Sequence, residues 1–127
     1  MHTGDDRAYD LMDRGLRAVD AIGVPESPKL LNFRGKCLLL LGRGDEGCAA
    51  FHRCTAIYPE TSFAWNNAAI CDLRNPDLRD DQGPKFEKAL ALAYRAEHRD
   101  AARANLDAYH RWRAAGYAGR FDGTLVY

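Results

Sequence analysis

No stretch of the sequence is long and apolar enough to cross a bilayer. A spanning helix needs about 20 mostly apolar residues, and the greasy run from Cys37 to Leu41 falls far short. Net charge is also missing. The 18 basic and 18 acidic side chains cancel, so no global field draws the chain to nucleic acid or an anionic membrane. The opening MHTGDDRAYD lacks the basic start and apolar core of a secretory signal, which sets the expectation of a cytoplasmic protein. HExxH, P-loop and GxGxxG patterns are absent. The glycines of GKCLLLLGRGDEG lack the GK[ST] that touches a nucleotide and its metal. His2, His52, His98 and His110 show no triad spacing to a nucleophile. Together these absences predict a protein that is not an enzyme and needs no cofactor or metal. Cys37, Cys48, Cys54 and Cys71 form no CxxC pair. Each falls on an apolar or small position of the helical pattern, so all four are expected to be reduced and packed.

What is present is helical period. Leu11, Met12, Leu16, Val19 and Ile22 recur at the spacing of one apolar helix face. Ser27-Pro28 reads as an N-cap followed by a proline in the first turn. Gly42-Arg43-Gly44 is turn chemistry, with Asp45 expected to cap the helix after it. The whole reading gives an all-α chain of about six helices, near 5–22, 28–41, 45–58, 62–75, 84–96 and 99–115. They form one domain over 1–116, with PDLRDDQG as a charged loop and 117–127 as a C-terminal tail without helical period.

One stretch, Pro28 to Thr61, carries more than period. Leu31, Arg34-Gly35, Leu38, Gly47, Phe51, Cys54 and Pro59 stand at the offsets of a large residue, a close-approach glycine, an interhelical aromatic and a helix-ending proline. About 34 positions further on, Asn32 is matched by Asn66, Cys37 by Cys71 and Leu39 by Leu73. After one extra loop residue, FEKALALAY aligns with FHRCTAIYP. The chain thus resembles a tetratricopeptide repeat (TPR) protein over roughly Pro28 to Ala96. Arg34 replaces the usual Leu, Tyr94 the final Pro, and Asp72 a large residue.

The resemblance implies a right-handed stack of antiparallel helical hairpins, with a concave groove lined by the first helix of each hairpin. By the family's register that peptide-binding groove holds Lys29, Asn32, Phe33 and Lys36, then Phe63, Asn66, Asn67 and Ile70. The last helix adds Arg99, Arg103 and Asn105, its register left open. Asn side chains carry both donor and acceptor, so they suit the backbone of an extended peptide. Phe33 and Phe63 suit its apolar side chains. The clamp for chaperone carboxylate tails is incomplete, since Asn32 stands where it wants Lys and Lys36 where it wants Asn. The function implied is a protein–protein interaction module, adaptor or chaperone-like, with a protein or peptide partner and no membrane.

Two alternatives come from charge. Six Arg in residues 95–120, beside Tyr109, Trp112 and Tyr117, suit a nucleic-acid surface, which net neutrality disfavours. Residues 1–26 carry six acidic and three basic side chains, so ends of opposite sign favour head-to-tail association as a homo-oligomer. The segment Phe121 to Tyr127 is either a frayed terminus or an extended strand laid in a groove, with its terminal carboxylate on Lys29 or Lys36.

Overall fold

A computed structural model describes residues 4–23 and 26–126. Six α-helices follow one another: α1 (Gly4–Ile22), α2 (Pro28–Leu40), α3 (Gly44–Ile57), α4 (Ser62–Asp72), α5 (Gly83–Leu92) and α6 (Ala96–Ala114). No strand occurs among the described residues. From α2 onward each helix packs on its neighbours in sequence, and α4 also touches α2 and α6. This brings the first helices of successive hairpins side by side, while α1 lies against α2.

The α2–α3 contact is built on missing side-chain atoms. A Cβ at Gly35 would stand 2.6 Å from the Phe51 ring, and one at Gly47 would stand 2.7 Å from the Gly35 carbonyl oxygen. Phe51 therefore fills the space two glycines leave, and it is fully buried. One hairpin later Ala69, Leu73, Phe86 and Tyr109 form a buried cluster. Arg34 has its own use in the place of an apolar residue. It reaches α1, where its guanidinium donates to Asp20 at 2.6 Å and holds that carboxyl below the usual carboxylate range.

Several boundaries differ from the sequence reading. The Ser27 hydroxyl accepts from the Leu30 N–H at 3.1 Å, as a cap should. Asp45, in contrast, lies inside the first turn of α3, whose N-cap position is Arg43. Helix α4 stops at Asp72 rather than 75, because the N–H groups of Arg74 and Asn75 turn back three residues to Cys71 and Asp72. The charged loop is a 3-10 helix, Pro76–Asp81, opened by the Asn75 side chain accepting from Asp77 N–H at 3.0 Å. Helix α5 ends at Leu92, where Ala93 becomes extended, and α6 begins at Ala96. On α1, Leu16 is buried and Met12 packs beside it, but Leu11 and Ile22 are 67% and 74% exposed. One neighbouring helix covers only a narrow stripe.

The cysteines correct the sequence reading more sharply. Cys37 and Cys54 are buried free thiols, but Cys48 and Cys71 form a disulfide between α3 and α4. Their Cα atoms are 5.6 Å apart and they lie 23 positions apart in sequence. No short motif marks such a pair, because helix packing alone brings it together. Burial, with the negative charge of Glu60 adding to it, pushes the Cys54 thiol up to about 11.

Candidate functional site

Beyond α6 the chain reverses. Gly116 and Tyr117 take positive φ, 66° and 62°, and the Tyr117 N–H donates to the Trp112 carbonyl at 2.8 Å. The tail then runs back across α6, α4 and α2. It is ordered by contacts at both ends. At its start the Phe121 ring packs between Trp112 and Phe86, with centroids 5.4 and 6.3 Å away. At its end Val126 is buried with Leu31, Cys54, Phe63 and Ala64.

Between these anchors lies a row of asparagines. The Asn105 carbonyl oxygen accepts from the Thr124 N–H at 2.9 Å, and its amide donates to the Thr124 carbonyl at 2.8 Å. Asn67 treats Val126 the same way, at 2.8 and 2.7 Å. Asn66 adds a second donor to the Thr124 carbonyl at 3.2 Å, and Asn32 a second donor to that of Val126 at 2.9 Å. The amides also support one another. Asn105 donates to Asn66 at 2.9 Å, Asn66 to Asn67 at 3.2 Å, and Asn67 to Asn32 at 2.6 Å.

This geometry follows from strand and helix periods together. Residues two apart in an extended chain present their backbone groups to the same side. Thr124 and Val126 are two apart, and each meets an asparagine that supplies both an acceptor and a donor. All four asparagines are buried, at 0–3% exposure. A buried amide left without partners costs about 1–3 kcal/mol, so the row requires an extended backbone, or water, in the cleft. Its bonds to Thr124 and Val126 all go to main-chain atoms.

Of the groove positions drawn from the sequence, Asn32, Asn66 and Asn67 meet at this row, and Asn105 completes it. Phe63 is buried against Val126. Ile70 packs on the cluster that also receives Phe121. Lys29 is exposed and lines the rim beside Leu125 and Val126, with Arg95 and Glu97 near it. Lys36 is half-buried, and its charge partly offsets the burial that raises the Cys37 thiol. Phe33 does not contact the tail's apolar anchors. It is 48% exposed and belongs to none of the apolar clusters around the tail. One residue further along a helix is about 100° round its axis, so Asn32 turning inward carries Phe33 outward. Arg99 and Arg103 are exposed on α6. The expectation of a terminal carboxylate on a lysine concerns Tyr127, outside the described residues.

A second cluster has no counterpart in the sequence reading. The carboxylate of Asp72, 7% exposed, accepts from His52 Nε2 at 2.7 Å and pairs with Lys85 through its other oxygen. Burial pushes the Asp72 carboxyl up, but the hydrogen bonds and charges of His52 and Lys85 outweigh it and hold it below the usual carboxylate range. The nearby Thr55 hydroxyl donates to the His52 main-chain carbonyl at 2.8 Å, and Cys48 and Cys71 are tied up in their disulfide. Asp72 therefore ties α4 to α3 and α5. Its standing at a position expected to be large was the only available signal. Among the described residues no group of three or more His, Cys, Asp or Glu side chains is placed to hold a metal ion, and no helix is long and apolar enough to cross a membrane.

The aromatic residues that suit nucleic-acid stacking are engaged internally. Tyr109 is fully buried, its hydroxyl donating to the Arg79 carbonyl at 2.6 Å. Trp112 packs edge-on against Tyr117 at 4.9 Å, and the Arg79 guanidinium lies 5.0 Å from its ring. No protein-family model matches the chain, nor does any curated protein or solved structure.

Proposed function

We propose that this protein is a TPR-like interaction module, adaptor or chaperone-like, that binds an extended segment of a partner protein in the groove between α2, α4 and α6. One observation carries the reading. Asn67 and Asn105 each pair with both the N–H and the C=O of an extended residue, two positions apart, and Asn32 and Asn66 reinforce them. Such a row recognises backbone and tolerates varied sequence. The chain's own tail is the segment that fits it, and any partner competes with that tail. Mechanistically, binding is exchange of one extended strand for another, with the asparagines satisfied before and after. We propose no catalytic role and no cofactor.

Location bears on the form at work. The sequence leads us to propose the cytoplasm, whereas a disulfide persists chiefly in oxidising surroundings. In a reducing compartment Cys48 and Cys71 are thiols and α3 is freer against α4.

The test is a screen of extended peptides on the intact chain. Peptides that bind should lose affinity by about tenfold or more when Asn67→Ala and Asn105→Ala are combined, the size of loss expected when central anchors are truncated. Binders indifferent to both substitutions would place the working surface elsewhere.

A further inference from the structure

The occupant of the groove also carries side-chain information, and the following rests on the peptide-binding reading above. Four positions of the tail are constrained, Leu125 by packing against Phe51, Ala68 and Cys71. Phe121 is held between Phe86 and Trp112. Val126 fills the space left among Leu31, Cys54, Phe63 and Ala64. Gly123 is constrained by Phe121 itself. A Cβ there would run into Cε1 of the Phe121 ring and stand 2.9 Å from its Cζ. The ring cannot swing aside cheaply, because Phe86 and Trp112 flank it. By contrast Asp122 and Thr124 have exposed side chains, and Thr124 contributes through its backbone.

We propose that the groove selects partner segments of the form Phe-x-Gly-x-Leu-Val, of which residues 121–126 are the built-in copy. The spacing follows from the site. The Asn105 and Asn67 pairs fix the residues at the fourth and sixth places of the segment, and the aromatic pocket lies at the other end for the first. A glycine at the third place lets the first ring fold onto the backbone and enter that pocket. A partner carrying this pattern meets a groove already holding a tethered copy. Tethering makes the tail an internal competitor at an effective concentration on the order of mM, so partner binding reports both the pattern and the release of the tail.

The experiment uses the full-length chain with Gly123→Ala, and a labelled synthetic peptide of residues 119–127, GRFDGTLVY. The substitution should free the tail. The amides of residues 124 and 126 should lose hydrogen-exchange protection while those of the helices keep it. The peptide should then bind this variant about tenfold or more tighter than it binds the unaltered chain. Peptides with alanine in place of Phe121, Gly123 or Val126 should bind about tenfold or more weaker, the loss typical of an anchor residue. One with alanine for Thr124 should match the parent within about twofold. Should Gly123→Ala fail to fold, Val126→Ser in the full chain serves the same purpose. Equal binding by all the peptides, or a Gly123→Ala tail as protected as before, would overturn the proposal. Unrelated peptides that bind as tightly and depend on Asn67 and Asn105 would sink the pattern but leave the groove. A released tail with no peptide binding at all would sink both.

Discussion

Gly35 shows how one residue can be read two ways and only one survive. In an exposed helix interior, Gly→Ala gains about 1 kcal/mol of helix propensity. Here the added methyl would stand 2.6 Å from a fully buried Phe51 ring, and overpacking a core typically costs about 1–3 kcal/mol. Gly35→Ala should therefore lower the urea midpoint, and Phe51→Ala should lower it further by emptying the same space, at about 3–5 kcal/mol. A raised midpoint for Gly35→Ala would mean that α2 and α3 are not in the contact described. Asp72 supplies a pH dependence. Its folded carboxyl lies below the usual range, so its contribution is fully present above the unfolded value of about 3.9 and is lost as pH falls through the lower folded value. Asp72→Asn should destabilise at neutral pH, and the gap to the parent should narrow at about pH 3. Urea melts at the two pH values provide the comparison.

At the scale of elements the hairpins α2–α3 and α4–α5 were legible, because Gly35, Phe51 and Phe86 stand at repeat offsets and their chemistry is local. Asn32, Asn66 and Asn67 were legible by the same register. Asn105 was named without a firm place, since α6 lies beyond the repeat. The Cys48–Cys71 bridge was not legible, for a bond across two helices depends on packing and no linear pattern encodes it. It has a direct test. Without reductant, denatured protein should yield two reactive thiols, Cys37 and Cys54, and four after reduction. In the native protein Cys54 should be slow, because the thiolate is the reactive form and burial raises its thiol to about 11. Opening the bridge should lower stability by about 2–4 kcal/mol, read as a shift in the urea midpoint with a non-thiol reductant. Four thiols from unreduced protein would remove the staple from the fold.

On the scale of the whole molecule, several acids of the N-terminal end have partners within the chain. Asp20 and Glu26 pair with Arg34 and Arg53, and Asp13 lies near Arg17 and Arg43. The tail joins α2, α4 and α6. Its docking was one of two readings the sequence left open, since an extended segment without period is ordered only by what it lies against. Hydrogen exchange should show the amides of Thr124 and Val126 protected in the intact chain. Asn67→Ala with Asn105→Ala should lower that protection by about tenfold or more, as lost hydrogen bonds of this kind do, and spare the helices. Fast exchange at both amides of the parent would mean that the tail is not docked.

The Asn32–Val126 bond closes over 94 residues, whereas from α2 onward most packing is between consecutive helices. Short-range contacts form early and long closures late. On refolding, the helices therefore come together before residues 124–126 dock. Until that closure the row of asparagines stands open to water, and another extended strand can take the place first.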